Sequence, residues 1–324
     1  MLLAQCLNIY ELLDLPEFQS DELIRLFPKE IYPYIQCRQI EGSSSSSTFI
    51  RMTIPGKHGR SKQGKAPTIG LIGRLGGVGA RPIVKGYVSD GDGALAVLAA
   101  ALKIAQMSVT SDSLEGDVCI ATQICENALV VERKPVPLMA SPIDDQLIGN
   151  LETEDHADAY LSIDTSKGNR ICNHNGFAIT PTVKEGYLLK VSDDLLDLYS
   201  EVSGRLPVVL PITSQDITPY GNSVYHINSI MQPSVYTSAP VVGIAITSEV
   251  PVPGCATGAS RFADIEASAR YTVEAAKRFT SGTLSFFDEE EFSIIQSLYH
   301  SIFREKRIQS YEKKSEDRPN STVS

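Results

Sequence analysis

Apolar positions recur along the chain in two rhythms. Near the start, Leu3, Leu7, Tyr10 and Leu13, then Leu23, Ile24, Leu26 and Phe27, fall at helical spacing on either side of Leu15-Pro16. This predicts two short helices forming an N-terminal cap. The five-serine run Ser43 to Ser47 and the Gly- and Lys-rich stretch Pro55 to Pro67 carry no such rhythm and have the composition of loops. From Ala66 the text alternates between strand and helix: Thr68 to Gly73 (TIGLIG) is strand-like, Ala94 to Met107 helical, and Asp117 to Ile124 strand-like again. Strand, helix, strand in that order implies a right-handed parallel crossover. Further strands are expected at 160–163, 187–191, 207–212 and 241–246, and helices at 193–202, 264–279 and 288–303. The alternation predicts an α/β fold, a three-layer α/β/α sandwich with a mixed, mostly parallel sheet. After Phe303 the chain is dense in charge and poor in apolar residues, so a solvated tail is expected. The expected organisation is a helical cap and loop over 1–65, an α/β domain over 66–304 and a disordered tail over 305–324. There is no internal repeat.

Composition narrows the function. Of the 324 residues, 42% are hydrophobic and 21% charged, which fits an ordinary globular chain. The formal net charge of −10 argues against nucleic acid as a partner. The longest wholly apolar run, Ala94 to Leu102, spans nine residues, about half of what a helix needs to cross a bilayer, so no membrane partner is expected. The start lacks a basic segment and reaches Glu11 and Asp14 early, unlike a secretory signal. Six cysteines are scattered with no C-x-x-C pair, which suits a reducing cytoplasm.

In α/β sheets ligands collect at the carboxyl ends of parallel strands, so the polar residues there are the candidates. Asp90 and Asp92 precede the first long helix, Glu126 ends the strand Asp117 to Ile124, and Asp164 follows Tyr160 to Ile163. Such a carboxylate cluster would hold one or two divalent metals, or supply a base and an acid. Helix capping is the plainer use of Asp90 and Asp92, and turn chemistry accounts for Asp164 nearly as well. Arg74 and Arg81 flank a glycine-rich run that lacks the phosphate-loop pattern; they would clamp a carboxylate, with a surface salt bridge as the alternative. Lys167, Asn169 and Arg170 follow Asp164 and are expected to line the substrate site. A second polar patch contains Asp216, Tyr220 and Asn222, with His226 close behind. Asp216 and His226 suit an acid/base pair or a hydrogen-bonded turn with a structural histidine. Cys255 is a candidate nucleophile or metal ligand, although an inert buried thiol is commoner.

The runs GLIGRLGGVGARP, SDGDGA, SIDTSKGNR, SQDITPYGN and VPGCATGAS together resemble the domain of unknown function 1177 family over about residues 1–304. The motif order over about 66–280 is also similar to the zinc-dependent aminopeptidases of the phosphorylase/hydrolase-like fold. That second resemblance implies a metal-assisted hydrolase or amidohydrolase of a small amino-acid or peptide-like substrate, often oligomeric. It implies Glu126 as general base, metal ligation by Asp90 or Asp92 with Asp164, and zinc, manganese or cobalt as the ion. Two positions depart from its pattern: Gly73-Arg74-Leu75 stands where a His-x-Asp belongs, and no histidine lies in Pro253 to Thr257, leaving Cys255 as the only ligand type there. With two imidazoles missing, a site of carboxylates prefers a harder cation than zinc. Two further readings follow: a catalytically degenerate relative that binds a small metabolite or assists a biosynthetic pathway, and a metal-free lyase or isomerase using Lys167, Tyr220 or His226 for proton transfer.

Overall fold

The computed structural model describes residues 2–42, 45–77, 86–126, 128–132, 137–212, 227–252 and 259–299. The helices are α1 (Leu3–Leu13), α2 (Ser20–Leu26), α3 (Asp92–Ser108), α4 (Asp145–Thr153), α5 (Asp193–Ser203) and α6 (Phe262–Thr280). The strands are β1 (Ile35–Glu41), β2 (Ser46–Ile54), β3 (Ile69–Gly77), β4 (Val118–Cys125), β5 (Leu129–Val131) and β6 (Leu138–Ala140). They continue with β7 (Ala159–Ser166), β8 (Gly176–Ile179), β9 (Val183–Lys184), β10 (Tyr187–Leu188) and β11 (Val241–Thr247).

One sheet runs in the order β1-β2-β4-β3-β7-β11-β9-β10, with β8 also on β11. Its centre, β4-β3-β7-β11, is parallel, and the flanking strands are antiparallel. Every residue of β4 and of β11 is buried, because helices or helical turns cover both faces and leave no solvent side for a polar alternation. On one face α3 lies against β3 and is itself covered by α1 and α6, with α5 against α6. On the other face, α4 and a 3-10 segment over Ser229–Val235 bury Ile72, Tyr160, Ile230, Met231 and Ala245. The result is the expected three-layer α/β sandwich with a mixed sheet, parallel at its centre.

The alanines of α3 explain its depth in the molecule. A Cβ on Gly73 of β3 would come within 2.4 Å of Val97 Cγ1 and 2.9 Å of the Ala94 Cα, so glycine at 73 lets the helix settle onto the sheet. Small side chains on both partners bring the backbones together and exclude solvent.

Several boundaries differ from the sequence expectation. Ser46 and Ser47 open β2 instead of staying in a loop, since the β1–β2 hairpin extends the sheet beside β4 and provides ladder partners that serine composition does not announce. The strand expected over 187–191 shortens to the two residues of β10. Residues 207–212 form only an isolated bridge between Val209 and Ile179, because Pro207 and Pro211 lack the N–H a ladder needs. Helix α4 was not expected; the Asp144 carboxylate caps it, accepting from the N–H groups of Gln146 and Leu147 at 3.0 and 3.1 Å.

Residues to Phe286 form one compact unit. The following segment, described by itself, is helical over 289–299, with Asp288 Oδ1 accepting the N–H groups of Glu290 and Glu291. The end expected at Phe303 and the tail over 305–324 lie outside the described residues. Among the described residues no helix is long and apolar enough to cross a membrane, and the five described cysteines are free thiols.

Candidate functional site

Strands β3 and β7 are parallel neighbours, but the chain leaves them in opposite directions: β3 exits through α3 to β4 on one side, and β7 exits toward β8 and β11 on the other. Their carboxyl ends therefore mark a topological switch point, the place where a crevice for ligands opens in α/β sheets. The start of α3 is inserted there, preceded by a 3-10 turn over Ser89–Gly91. A Cβ on Gly93 would meet the backbone oxygens of Ile163 at 2.5 Å and Arg74 at 3.0 Å, so no larger residue can enter between the two strand ends. Thr165 Oγ1 donates to the Ser89 carbonyl at 2.9 Å and ties the turn to β7.

Asp92, the first residue of α3, is fully buried, and its carboxylate does not cap its own helix. It accepts from Tyr87 Oη at 2.7 Å and from Ser260 Oγ at 2.5 Å, both on Oδ1, while Lys167 Nζ lies 3.3 Å from Oδ2. The three donors come from the segment before the 3-10 turn, the loop before α6 and the exit of β7. Burial pushes the Asp92 carboxyl above the usual carboxylate range, and the Lys167 ammonium, Ser260 and Tyr87 pull against it. The Tyr87 phenol is held well above its ordinary value, first by burial and then by the Asp92 charge. The Lys167 side chain is only 9% exposed, and among the described residues its one hydrogen bond is to Asp92. Among the described residues its other two N–H donors have no hydrogen-bond partner. Its charge also acts on Asp264 in the first turn of α6, whose carboxyl is raised by burial and lowered by Arg261 and Lys167.

The other expected residues are placed differently. Arg74 turns to the α4 face, where it donates to Glu152 Oε2 at 2.8 Å and to Gln232 Oε1. Its side chain is 11% exposed and that of Glu152 2%, so this is a buried ion pair, neither a surface bridge nor an open clamp. Burial raises the Glu152 carboxyl against the pull of Arg74. Glu126, half-buried in the turn after β4, accepts the Phe18 N–H. Asp164 Oδ1 accepts the N–H of its own neighbour Thr165 at 2.7 Å, and Asp90 sits half-buried in the 3-10 turn. Asn169 Oδ1 accepts from Ile171 N and Cys172 N, shaping the loop after β7, and Arg170 is exposed. Asp216, His226, Tyr220, Asn222, Arg81 and Cys255 lie outside the described residues.

A metal fits poorly with what is described. No three His, Cys, Asp or Glu side chains gather as an ion site among the described residues. Asp92 already accepts from two hydroxyls and pairs with an ammonium, so it offers an ion little free lone-pair capacity. Sequence reasoning missed Tyr87 and Ser260. The available signal was weak: a tyrosine five residues before an aspartate, and a serine just ahead of a helix.

A family model described as a protein of unknown function (DUF1177) matches residues 38–309. No curated protein matches the chain.

Proposed function

The chain belongs to the DUF1177 family, and from the groups gathered on Asp92 we propose that it is a metal-independent lyase or isomerase acting on a small molecule in the cytoplasm. The observation that carries this reading is the buried Lys167–Asp92 pair at the carboxyl ends of β3 and β7. Lys167 is the catalytic residue: an ammonium with two N–H donors uncommitted among the described residues acts as general acid toward an oxyanion or leaving group of the substrate. Asp92 is fully enclosed and works through Lys167 as its counter-ion. When Lys167 gives up its proton, the carboxylate left behind keeps the Tyr87 and Ser260 hydrogen bonds, which stabilise its charge in place of the lost cation. Ser260, half-buried, stands at the rim of the cluster and helps orient the substrate. Free thiols and the acidic balance of the chain support the cytoplasmic address and a partner other than nucleic acid.

The test is proton NMR of the full chain in D2O with chelator present, against a panel of small hydroxy, keto and amino acids and amides. Deuterium incorporation or elimination is expected from the parent, with a loss of about 10²–10⁴-fold in Lys167→Met, the usual contribution of a positioned acid. Turnover only of peptides or amides, dependent on added zinc, manganese or cobalt and retained by Lys167→Met, would overturn this reading in favour of metal-assisted hydrolysis.

A further inference from the structure

The family match begins at residue 38, yet the cluster on Asp92 is braced by residues before it. Asp14, at the C-cap position that follows α1, accepts the backbone N–H of Tyr87 at 2.8 Å. An acidic residue at a helix C-terminus opposes the macrodipole, and α1 has no basic residue in its last turn. Asp14 is thus badly placed for its own helix and well placed for Tyr87. One turn earlier, the Tyr10 ring packs edge-on against Tyr87 at 5.3 Å between centroids and against Phe262 of α6 at 5.1 Å. The same segment reaches two further points around the site: the Phe18 N–H donates to Glu126 after β4, and the Leu2 N–H donates to Glu266 of α6 at 2.9 Å. Of these contacts, those of Asp14 and Tyr10 fall on Tyr87, whose phenol donates to Asp92.

We propose that residues 2–27 complete the site from outside the matched region, with Asp14 and Tyr10 as positioning residues that hold the Tyr87 hydroxyl on Asp92. The meaning of this for catalysis rests on the reading of Lys167 and Asp92 given above; the contacts themselves do not. Position matters because a hydroxyl held at hydrogen-bond distance stabilises the charged carboxylate, and a phenol free to swing away does not. Among the described residues, the groups that face Asp92 are Tyr87, Lys167 from the exit of β7 and Ser260 before α6; Tyr10 faces Tyr87 from α1, and Asp264, paired with Arg261, feels Lys167 from α6.

The experiment titrates Asp92 in the full chain by carbon NMR with labelled aspartate carboxyls, the resonance being identified by its loss in Asp92→Asn. Tyr87→Phe is expected to move the Asp92 midpoint upward by about one pH unit, a tenfold change in acidity, because the charged form loses a donor. Asp14→Ala and Tyr10→Ala should each reproduce about half of that shift or more, whereas Asp14→Asn, which keeps an acceptor for the Tyr87 N–H, and Leu7→Ala, an exposed position on α1, should leave the midpoint in place. If Asp14→Ala does not fold, Tyr10→Ala and Tyr10→Phe carry the comparison, the second keeping the ring. A midpoint unmoved in folded Asp14→Ala and Tyr10→Ala overturns the proposal, as does one unmoved in Tyr87→Phe. No substrate enters this measurement. A shift in the cap variants together with a silent substrate panel therefore refutes the enzyme reading and leaves the positioning role standing.

Discussion

Replacing Lys167 with methionine removes the one charge that balances Asp92 among the described residues while nearly keeping the side-chain volume. Asp92 is fully buried and the Lys167 side chain is 9% exposed, so solvent screens the pair little. Removing one partner of a buried pair leaves the other uncompensated, at a cost of about 3–5 kcal/mol. Asp92 recovers part of this by taking up a proton. Burial already holds its folded pKa above the ordinary carboxylate value, and loss of the Lys167 ammonium, which pulls it down, raises it further. A group with a raised folded pKa contributes its stability in full below the unfolded value and loses it as pH rises through the folded value. The deficit of Lys167→Met should therefore be small near pH 4 and complete at pH 8. At roughly 2 °C per kcal/mol for a chain of this size, the melting temperature at pH 8 should fall by about 6–10 °C. Asp92→Asn added to Lys167→Met should restore at least half of the loss, since the amide oxygen still accepts from Tyr87 and Ser260 without a buried charge. Urea unfolding followed by far-UV circular dichroism suits a chain with no tryptophan. A Lys167→Met variant within about 0.5 kcal/mol of the parent at both pH values would refute the buried pair, because surface substitutions alone behave that way.

Three further outcomes follow from the packing. Gly93→Ala forces a methyl group against two backbone oxygens that cannot rotate away, so the start of α3 must withdraw from the crevice; a loss of about 2–3 kcal/mol in urea, with a displaced Asp92 carbon resonance, is expected, and an unchanged resonance would contradict the insertion. Glu152→Gln leaves the Arg74 guanidinium without its carboxylate in a site that is nearly closed, and should cost about 3 kcal/mol at pH 8. Because burial raises the Glu152 carboxyl, the parent gains stability from this group as pH falls through the raised folded value while the glutamine does not titrate, so the deficit should be larger at pH 5 than at pH 8, which parallel melts would reveal. Burial pushes the Cys37 thiol up to about 11 and the Cys6 thiol up to about 12, so peptide mapping after iodoacetamide at pH 8 should find Cys37 about 100-fold slower than a free thiol and Cys6 untouched until unfolding. Reaction of either at the free rate would show that the N-terminal segment is not packed as described.

The candidate site was legible in part. Strands were expected to end at Gly73 and Ile163, but β3 runs on to Gly77 and β7 to Ser166, so Arg74 and Asp164 lie within strands and only Lys167 follows one, because ladder partners on both sides extend the pairing; α3 was read within two residues of its limits. What those residues do there was not legible. Arg74 was expected to meet a ligand or solvent, but its place on the α4 face leads it to Glu152, a residue of a helix of nine residues whose short apolar pattern, Leu147, Ile148 and Leu151, went unread. Glu126 sits at the end of its strand as expected, yet it accepts an N–H from the cap, a contact set by how residues 2–27 fold back over the sheet.

Periodicity determined the α/β class, the central strands and the long helices, because the burial of one face or of both is written locally in the spacing of apolar residues. Composition likewise fixed the net charge of −10, a property of the whole chain that needs no coordinates. The partners of Asp92 were decided by tertiary structure alone. They lie 5, 75 and 168 residues away along the chain, and hydroxyls and a lysine are common enough at any position to carry no local signal. Only the packing of α3 between two strand ends, under a cap braced on Tyr87, turns an aspartate that reads as a helix cap into the buried counter-ion of a lysine.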